Sequence, residues 1–204
     1  MNPKETLSIM RSGLKIHPRQ SVPSPLKTLR TREEVEVVMG ELDFKTGAEI
    51  GVAEGLHSEH LCKSMPRVTL LCVDPWIIYP ESFRARQINQ ELCDSRYEQA
   101  VERLAPYDCT LVKSMAMDYV HEVPDESLDF VYIDGNHEFD WVMEDLINWS
   151  KKVRVGGIVG GHDFYVFNHA GVIEAVYAYT RAHNIVEWYV TRERTPSFYW
   201  VKQW

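Results

Sequence analysis

The chain has 204 residues, of which 45% are hydrophobic and 25% charged, a composition that fits one globular domain with a sizeable core. Its formal net charge is −8 and its pI is near 5.5, so its field would repel nucleic acid and anionic membrane surfaces. This balance favours a small uncharged or cationic ligand over either of those partners.

The sequence also argues against secretion and membrane insertion. Its apolar stretches are far shorter than the roughly 20 residues of a membrane-spanning helix. Charged residues between Lys4 and Lys15 interrupt the region in which a secretory signal would need an apolar core. The four cysteines form no C-x-x-C pair, which predicts neither a disulfide framework nor a zinc cluster. We therefore expect a cytoplasmic protein.

Residues 1–30 have the least regular pattern of the chain. Pro18, Pro23 and Pro25 break any long helix there, and the basic residues of this segment contrast with the acidic remainder. We interpret the segment as a loosely packed arm, because chain termini are commonly untethered. A lid over the binding site and a swapped contact in a homodimer are the alternatives.

We assign a single domain to residues 31–204, and it opens with a helix. Thr31 as N-cap and Glu34 three residues later form the signature of a capping box. The helix is expected to run to about Leu42 and to lead into the first strand.

Residues 48–55, Ala-Glu-Ile-Gly-Val-Ala-Glu-Gly, have the pattern of a strand end, a glycine turn and a helix start. Gly51 frees φ of steric limits, and Gly55 allows close approach to the first helical turn. Glu49 ends the strand as an acceptor for a cation or a hydroxyl. The spacing matches neither a dinucleotide nor a phosphate-binding loop, and Glu49 and Glu54 would repel a phosphate. Tight packing of the helix on the strand is the alternative explanation for the two glycines.

The next strand, 68–74, is continuously apolar and ends on Asp74, nineteen residues past Gly55. Such strands predict a sheet covered on both faces. An acid at the tip of the second strand is where doubly wound folds bind ribose hydroxyls, so Asp74 is the ribose candidate. The alternative is that Asp74 only caps the turn at Pro75.

Residues 76–93 form a longer connection than the 2 to 6 residues typical of α/β units. Trp76, Tyr79 and Phe83 could stack on a planar ring or a sugar face. We interpret the segment as a lid or acceptor loop, with a plain helical elaboration as the alternative.

Polar residues follow the later strands at their carboxyl ends. The strand 128–134 leads into Asp134 and His137, and the strand 157–160 leads into His162 and Asp163. Because open parallel sheets build their sites at this edge, these side chains are expected to meet. A helix over 140–153 lies between the two strands, and its charges are interpreted as a solvated face.

These motifs, in this order over residues 46–202, resemble the class I S-adenosylmethionine (SAM)-dependent methyltransferases, in particular small stand-alone members with IDG-x-H and G-H-D loops. The resemblance implies a doubly wound, mostly parallel, seven-stranded Rossmann-like sheet that ends in an antiparallel hairpin. It also implies O-methylation of a small-molecule acceptor. The cofactor would contact residues at the ends of four strands: Glu49, Gly51, Gly55, Asp74, Ser114, Met115 and Asp134.

Methyl transfer to a hydroxyl requires alignment of donor and acceptor and removal of a proton. A divalent cation or a histidine base can meet the second requirement. In metal-dependent relatives, acids at the positions of Asp134 and Asp163 hold the ion. The third position carries His162, which would shift preference from magnesium toward manganese, iron or zinc.

Asn136 stands where some relatives place an acidic base, and an amide cannot take a proton. The role of base therefore falls to His137 or His162. The alternative is that these histidines only hydrogen-bond loop backbone. The other histidines, His57, His60, His121, His169 and His183, are interpreted as ordinary surface or cap residues.

Two other functional classes are considered. A nicotinamide-dependent oxidoreductase is disfavoured because the third fingerprint glycine is missing. A catalytically silent nucleoside-binding or scaffold protein is compatible with the departures at Asn136 and His162.

Overall fold

The computed structural model describes residues 1–16, 25–78, 89–167 and 170–204. Its strands are β1 (Leu26–Lys27), β2 (Thr46–Ile50), β3 (Thr69–Asp74), β4 (Cys109–Lys113), β5 (Leu128–Ile133), β6 (Val153–Gly161), β7 (Tyr189–Val190) and β8 (Phe198–Val201). Its helices are α1 (Pro3–Leu14), α2 (Arg32–Gly40), α3 (Leu56–Ser64), α4 (Gln90–Leu104), α5 (Ala116–Tyr119), α6 (Phe139–Lys152) and α7 (Val172–Ala182).

All the strands belong to one sheet in the order β1-β7-β8-β6-β5-β2-β3-β4. The strand pairs β6–β5, β5–β2, β2–β3 and β3–β4 are parallel, whereas β8 runs antiparallel to both β6 and β7. The predicted doubly wound sheet with its antiparallel C-terminal hairpin is therefore confirmed. An eighth strand, β1, is added at the edge beside β7. Two residues are too few to show a strand period in the sequence.

Two hydrophobic clusters cover the faces of the sheet. One contains buried residues of α1 to α4, including Met10, Val35 and Leu61. The other contains buried residues of α6 and α7, including Trp149 and Val176. Covering on both faces explains why the central strands are continuously apolar rather than alternating. None of the helices in the described residues combines the length and the apolar character of a membrane span.

Helix α1 lies in the segment that the sequence analysis interpreted as a loose arm. Met10 and Leu14 are 1% and 0% exposed, and the Thr6 hydroxyl donates a hydrogen bond to the carbonyl oxygen of Gly156 at 2.7 Å. The interpretation is therefore wrong for residues 3–14, because one apolar helix face packs on the sheet. The roles of lid and dimer contact, and the domain boundary at residue 31, stay predictions.

Most other boundaries agree with the sequence analysis, and the capping box of Thr31 and Glu34 is present. Helix α4 begins at Gln90, within the 76–93 segment interpreted from the sequence as a lid or acceptor loop, because the Asn89 side chain accepts a hydrogen bond from the backbone N–H of Leu92 at 2.9 Å. One prediction about α6 is wrong: Asp145 does not lie on a solvated face but is only 6% exposed.

Candidate active site

A cavity of about 440 Å³ lies at the carboxyl ends of β2, β3, β5 and β6, a volume typical of small-molecule sites. Its wall contains most of the residues predicted from the sequence: Glu49, Gly51, Asp74, Met115, Asp134, His137, His162 and Asp163. Gly55 and Ser114 are not part of the wall. The parallel sheet thus brings the motifs together at the expected edge.

The glycine turn owes its shape to two residues with positive φ. Gly51 has φ of +88°, and a Cβ atom there would overlap the carbonyl oxygen of Asp134, so only glycine lets the loop after β5 come this close. Gly55 has φ of +76° and packs against Ala100 and Leu104 of α4. Gly51 therefore lines the cavity, whereas Gly55 packs against a neighbouring helix and not against the strand named in the alternative explanation.

The Asp74 carboxylate holds the glycine turn in place. Its Oδ2 accepts hydrogen bonds from the backbone N–H groups of Val52 and Ala53 at 2.8 and 3.0 Å. Its Oδ1 accepts from the N–H of Trp76 at 2.7 Å, which is the turn cap considered as the alternative. A carboxylate offers about four acceptor positions, so one remains for a ribose hydroxyl.

Three cavity residues other than glycine have positive φ: Ala53 at 48°, Trp76 at 46° and Asp163 at 56°. The strain at Trp76 is compensated by its Nε1–H, which donates to the carbonyl oxygen of Ala53 at 2.8 Å, and by an edge contact with Tyr97. Strained backbone of this kind concentrates at functional sites. The predicted stacking residues Tyr79 and Phe83 lie outside the described residues.

His57 is a residue of the cavity wall that the sequence analysis missed. Its Nδ1 lies 2.7 Å from Glu49 and its Nε2 lies 2.6 Å from Glu36. Burial lowers the pKa of His57, but these two carboxylates raise it to about 10. His57 is therefore an imidazolium at neutral pH, and its interpretation as a surface residue is wrong. Glu49 also accepts a hydrogen bond from the Ser58 hydroxyl. The cation and the hydroxyl that the sequence analysis expected at Glu49 are thus supplied by His57 and Ser58 of the chain itself.

A sequence signal for this network exists at Glu36. This acid is adjacent to the apolar stripe of α2 that contains Val35, Val38 and Met39, and it is 0% exposed. A charged residue within a core stripe requires a buried partner. The sequence does not identify the partner as His57, because that residue lies on a different helix.

Asp134, His162 and Asp163 each place a potential ligand atom within 4.8 Å of the others. His162 Nδ1 lies 3.2 Å from Asp163 Oδ1 and 3.6 Å from Asp134 Oδ2. Burial raises the pKa of Asp163, but His137 and His162 lower it well below its usual range. The two carboxylates thus concentrate negative charge at the edge of the cavity.

His137 faces the same two acids. Its Nε2 lies 2.8 Å from Asp163 Oδ2 and 3.5 Å from Asp134 Oδ1, yet it is buried without an aligned hydrogen bond to any described residue. Burial lowers the pKa of His137, and Asp134 and Asp163 raise it to about 9. The two carboxylates and the imidazole of Asp134, Asp163 and His162 form a donor set that suits a divalent cation. These residues therefore fit the metal implied by the resemblance.

Asn136, by contrast, has a structural role. Its side-chain oxygen accepts a hydrogen bond from the backbone N–H of Glu138 at 2.9 Å, just before α6. The Ser114 hydroxyl likewise donates to the carbonyl oxygen of Met115 at 3.1 Å. Of this pair, only Met115 reaches the cavity wall, where it lies with Ala116 and Met117.

Comparison with known proteins supports the resemblance to methyltransferases. A family model described as a methyltransferase domain matches residues 48–164. A putative caffeoyl-CoA O-methyltransferase from Staphylococcus aureus shares the fold at a TM-score of 0.60 and 13% identity, over 97% of this chain and 91% of that chain. No curated protein sequence matches the chain.

Two further structures share the fold. The O-methyltransferase TomG from Streptomyces achromogenes, in complex with SAM, gives a TM-score of 0.59 and 14% identity, over 95% of this chain and 89% of that chain. An O-methyltransferase from Bacillus cereus in complex with S-adenosylhomocysteine (SAH) gives a TM-score of 0.59 and 13% identity, over 98% of this chain and 90% of that chain. Since the family model covers more than half of the chain, this protein belongs to the class I SAM-dependent methyltransferases.

Proposed function

We propose that the protein transfers the methyl group of SAM to a hydroxyl oxygen of a small-molecule acceptor, with the help of a divalent cation held by Asp134, His162 and Asp163. The observation that carries this proposal is the cluster of acids and histidines within the wall of the cavity that also contains the glycine turn. A donor pocket and an acceptor-activating group are both required for O-methylation.

We assign the donor to the part of the cavity between the glycine turn and β4. Asp74 has a free acceptor position for the ribose, and Met115 lies at the wall expected for the adenine. The methionine portion would pass Gly51 toward Glu49 and His57. Together with Glu36, this pair carries two carboxylates and one imidazolium, a net negative group that suits the ammonium of the amino-acid portion.

The acceptor end is assigned to the acid and histidine cluster. When bound there, a cation would lower the pKa of the acceptor hydroxyl. Asp134 and Asp163 supply the negative charge, and the nitrogen of His162 makes the donor set softer than an all-oxygen site. His137, which lies 2.8 Å from Asp163, would accept the hydroxyl proton in its unprotonated form, which the two acids disfavour below about pH 9 in the metal-free chain.

Replacing Asp74 with Ala should weaken SAH binding at least about tenfold. The change removes the acceptor for the ribose and for the backbone N–H groups of Val52, Ala53 and Trp76, and hydrogen bonds to a charged group contribute roughly 1.5–3 kcal/mol each. Calorimetric titration measures the affinity, and Asp118→Ala, at an exposed acid, is the matched control. Unchanged affinity in Asp74→Ala would overturn the ribose assignment.

Chelation should abolish methyl transfer while SAH affinity stays intact, because Asp134, His162 and Asp163 would hold the acceptor rather than the sulfonium. SAH formation is followed with a panel of hydroxylated and amine acceptors after removal of all metal. Manganese or iron should restore turnover better than magnesium, since the donor set contains an imidazole. Full activity of metal-free protein would contradict the metal assignment, and methylation confined to amines would contradict O-methylation. SAH binding without turnover on any acceptor would favour a catalytically silent protein.

A further inference from the structure

Asp145 of α6 is a carboxylic acid in the cavity wall that neither the donor nor the acceptor assignment uses. It is 6% exposed. Four other acids of the described residues are equally buried, and each has a hydrogen-bonding or ion-pair partner: Glu36, Glu49, Asp163 and Glu187. Within the same part of the chain, the Asp145 carboxyl group makes no hydrogen bond or ion pair.

This isolation has an energetic cost. A buried polar group without a partner is destabilising, and a buried charge more so. Burial, followed by repulsion from Glu144, accordingly raises the pKa of Asp145 to about 7. The free protein therefore carries an acceptor that lacks a donor, at the surface of a cavity sized for a ligand.

The position of Asp145 indicates which part of a ligand would meet it. An oxygen of Asp145 lies 3.7 Å from where a Cβ atom of Gly135 would be, directly beside the loop after β5. One turn further along α6, the Asn148 amide donates to the Met117 sulfur at 3.5 Å. Asp145 therefore lies on the side of α6 that faces α5, next to the wall of Met115, Ala116 and Met117.

That wall is the one assigned to the adenine under the proposed function. Methionine and alanine side chains there offer apolar contact to a flat ring, but they contain no oxygen or nitrogen acceptor for its amino group. The other donors of SAM have separate partners: Asp74 lies at the ribose, and Glu49 at the amino-acid end. Asp145 also lies outside the acid and histidine cluster, so it is not needed as a metal ligand.

We propose that Asp145 recognises the adenine base, with a carboxyl oxygen accepting a hydrogen bond from the exocyclic 6-amino group. This inference rests on the proposed placement of the cofactor and makes Asp145 a determinant of base specificity. An acceptor oxygen is present in either protonation state of the carboxyl group. A neutral amino group is the kind of donor that this isolated acceptor needs.

The test compares SAH with an analogue in which hydrogen replaces the 6-amino group of the base. Wild-type protein should prefer SAH by about tenfold or more, because the analogue leaves a buried acceptor unpaired. Asp145→Leu should bind the two ligands equally. Asp145→Asn should keep the preference, because its amide oxygen accepts the same hydrogen bond. Asp140→Leu, at an exposed acid of the same helix, should behave as wild type.

A stability measurement separates recognition from a structural role. Because Asp145 has no partner, Asp145→Leu should raise the melting temperature of the ligand-free protein, and SAH should then stabilise this variant less than wild type. A lower melting temperature for both variants at position 145 would show a structural role and overturn the inference.

Two results distinguish this inference from the proposed function. Equal binding of SAH and the analogue to wild-type protein, or an unchanged preference in Asp145→Leu, would overturn the role of Asp145 while the cofactor assignment stands. Failure of wild-type protein to bind SAH at all would overturn the cofactor assignment and the inference together.

Discussion

Replacing His137 with Ala should lower kcat on the order of 10²–10⁴-fold, the usual contribution of a general base, while SAH affinity and metal content stay at wild-type levels. His137 contacts Asp134 and Asp163. The described cavity wall contains two other histidines: His162, which we assign to the metal, and His57, which is paired with Glu36 and Glu49. Steady-state kinetics, calorimetry with SAH and metal analysis measure the three quantities.

Asp163→Asn is the informative contrast to His137→Ala, because it should lose both metal and activity. His121→Ala, at an exposed histidine, is the matched control and should have no effect. Since Asp134 and Asp163 raise the pKa of His137 to about 9, the unprotonated base should form only as pH rises toward 9 in metal-free protein. Wild-type turnover by His137→Ala would contradict the assignment of the base.

Replacing His57 with Leu should destabilise the protein by about 3–5 kcal/mol, the cost of breaking a buried ion pair by removing one partner. The carboxylates of Glu36 and Glu49, which are 0% and 1% exposed, would then face each other across an apolar side chain. Denaturant unfolding at neutral pH measures the loss, and His121→Leu serves as the control. A change below about 1 kcal/mol would show that the network contributes little to stability.

The pH dependence of wild-type stability provides a second measure of the same network. The pKa of His57 is raised to about 10 in the folded protein, compared with about 6.5 in an unfolded chain. The folded state therefore binds the extra proton, so its contribution is complete below about pH 6.5 and is lost as pH rises toward 10. His57→Leu should lack this slope of the unfolding free energy between neutral pH and 10.

The sheet and the cluster at its edge could be predicted from the sequence for a specific reason. Continuous apolar strands indicate a covered parallel sheet, and Asp134, His162 and Asp163 each lie directly at a strand end. Because β5 and β6 are neighbouring parallel strands, their carboxyl ends meet at one edge of the sheet and bring these residues together. No knowledge of side-chain packing is needed.

The buried charges could not be predicted in the same way. His57 and Asp145 are in amphipathic helices, where a polar residue is usually solvated, and their burial depends on contacts with distant elements. Glu36 binds His57 across 21 residues of sequence. Helix α1 was missed for a related reason, because its two buried anchors, Met10 and Leu14, lie in a segment dominated by prolines and charges.

The most direct test of the proposed mechanism needs no acceptor. Titration of metal-free protein with Mn²⁺ in the presence of SAH, followed by electron paramagnetic resonance of the free ion, measures the number of bound ions. The proposal expects one Mn²⁺ per chain in wild type and none in Asp163→Asn, with equal SAH affinity in both. Absence of Mn²⁺ binding by wild-type protein, or equal binding by Asp163→Asn, would contradict the assignment of Asp134, His162 and Asp163 as the metal site.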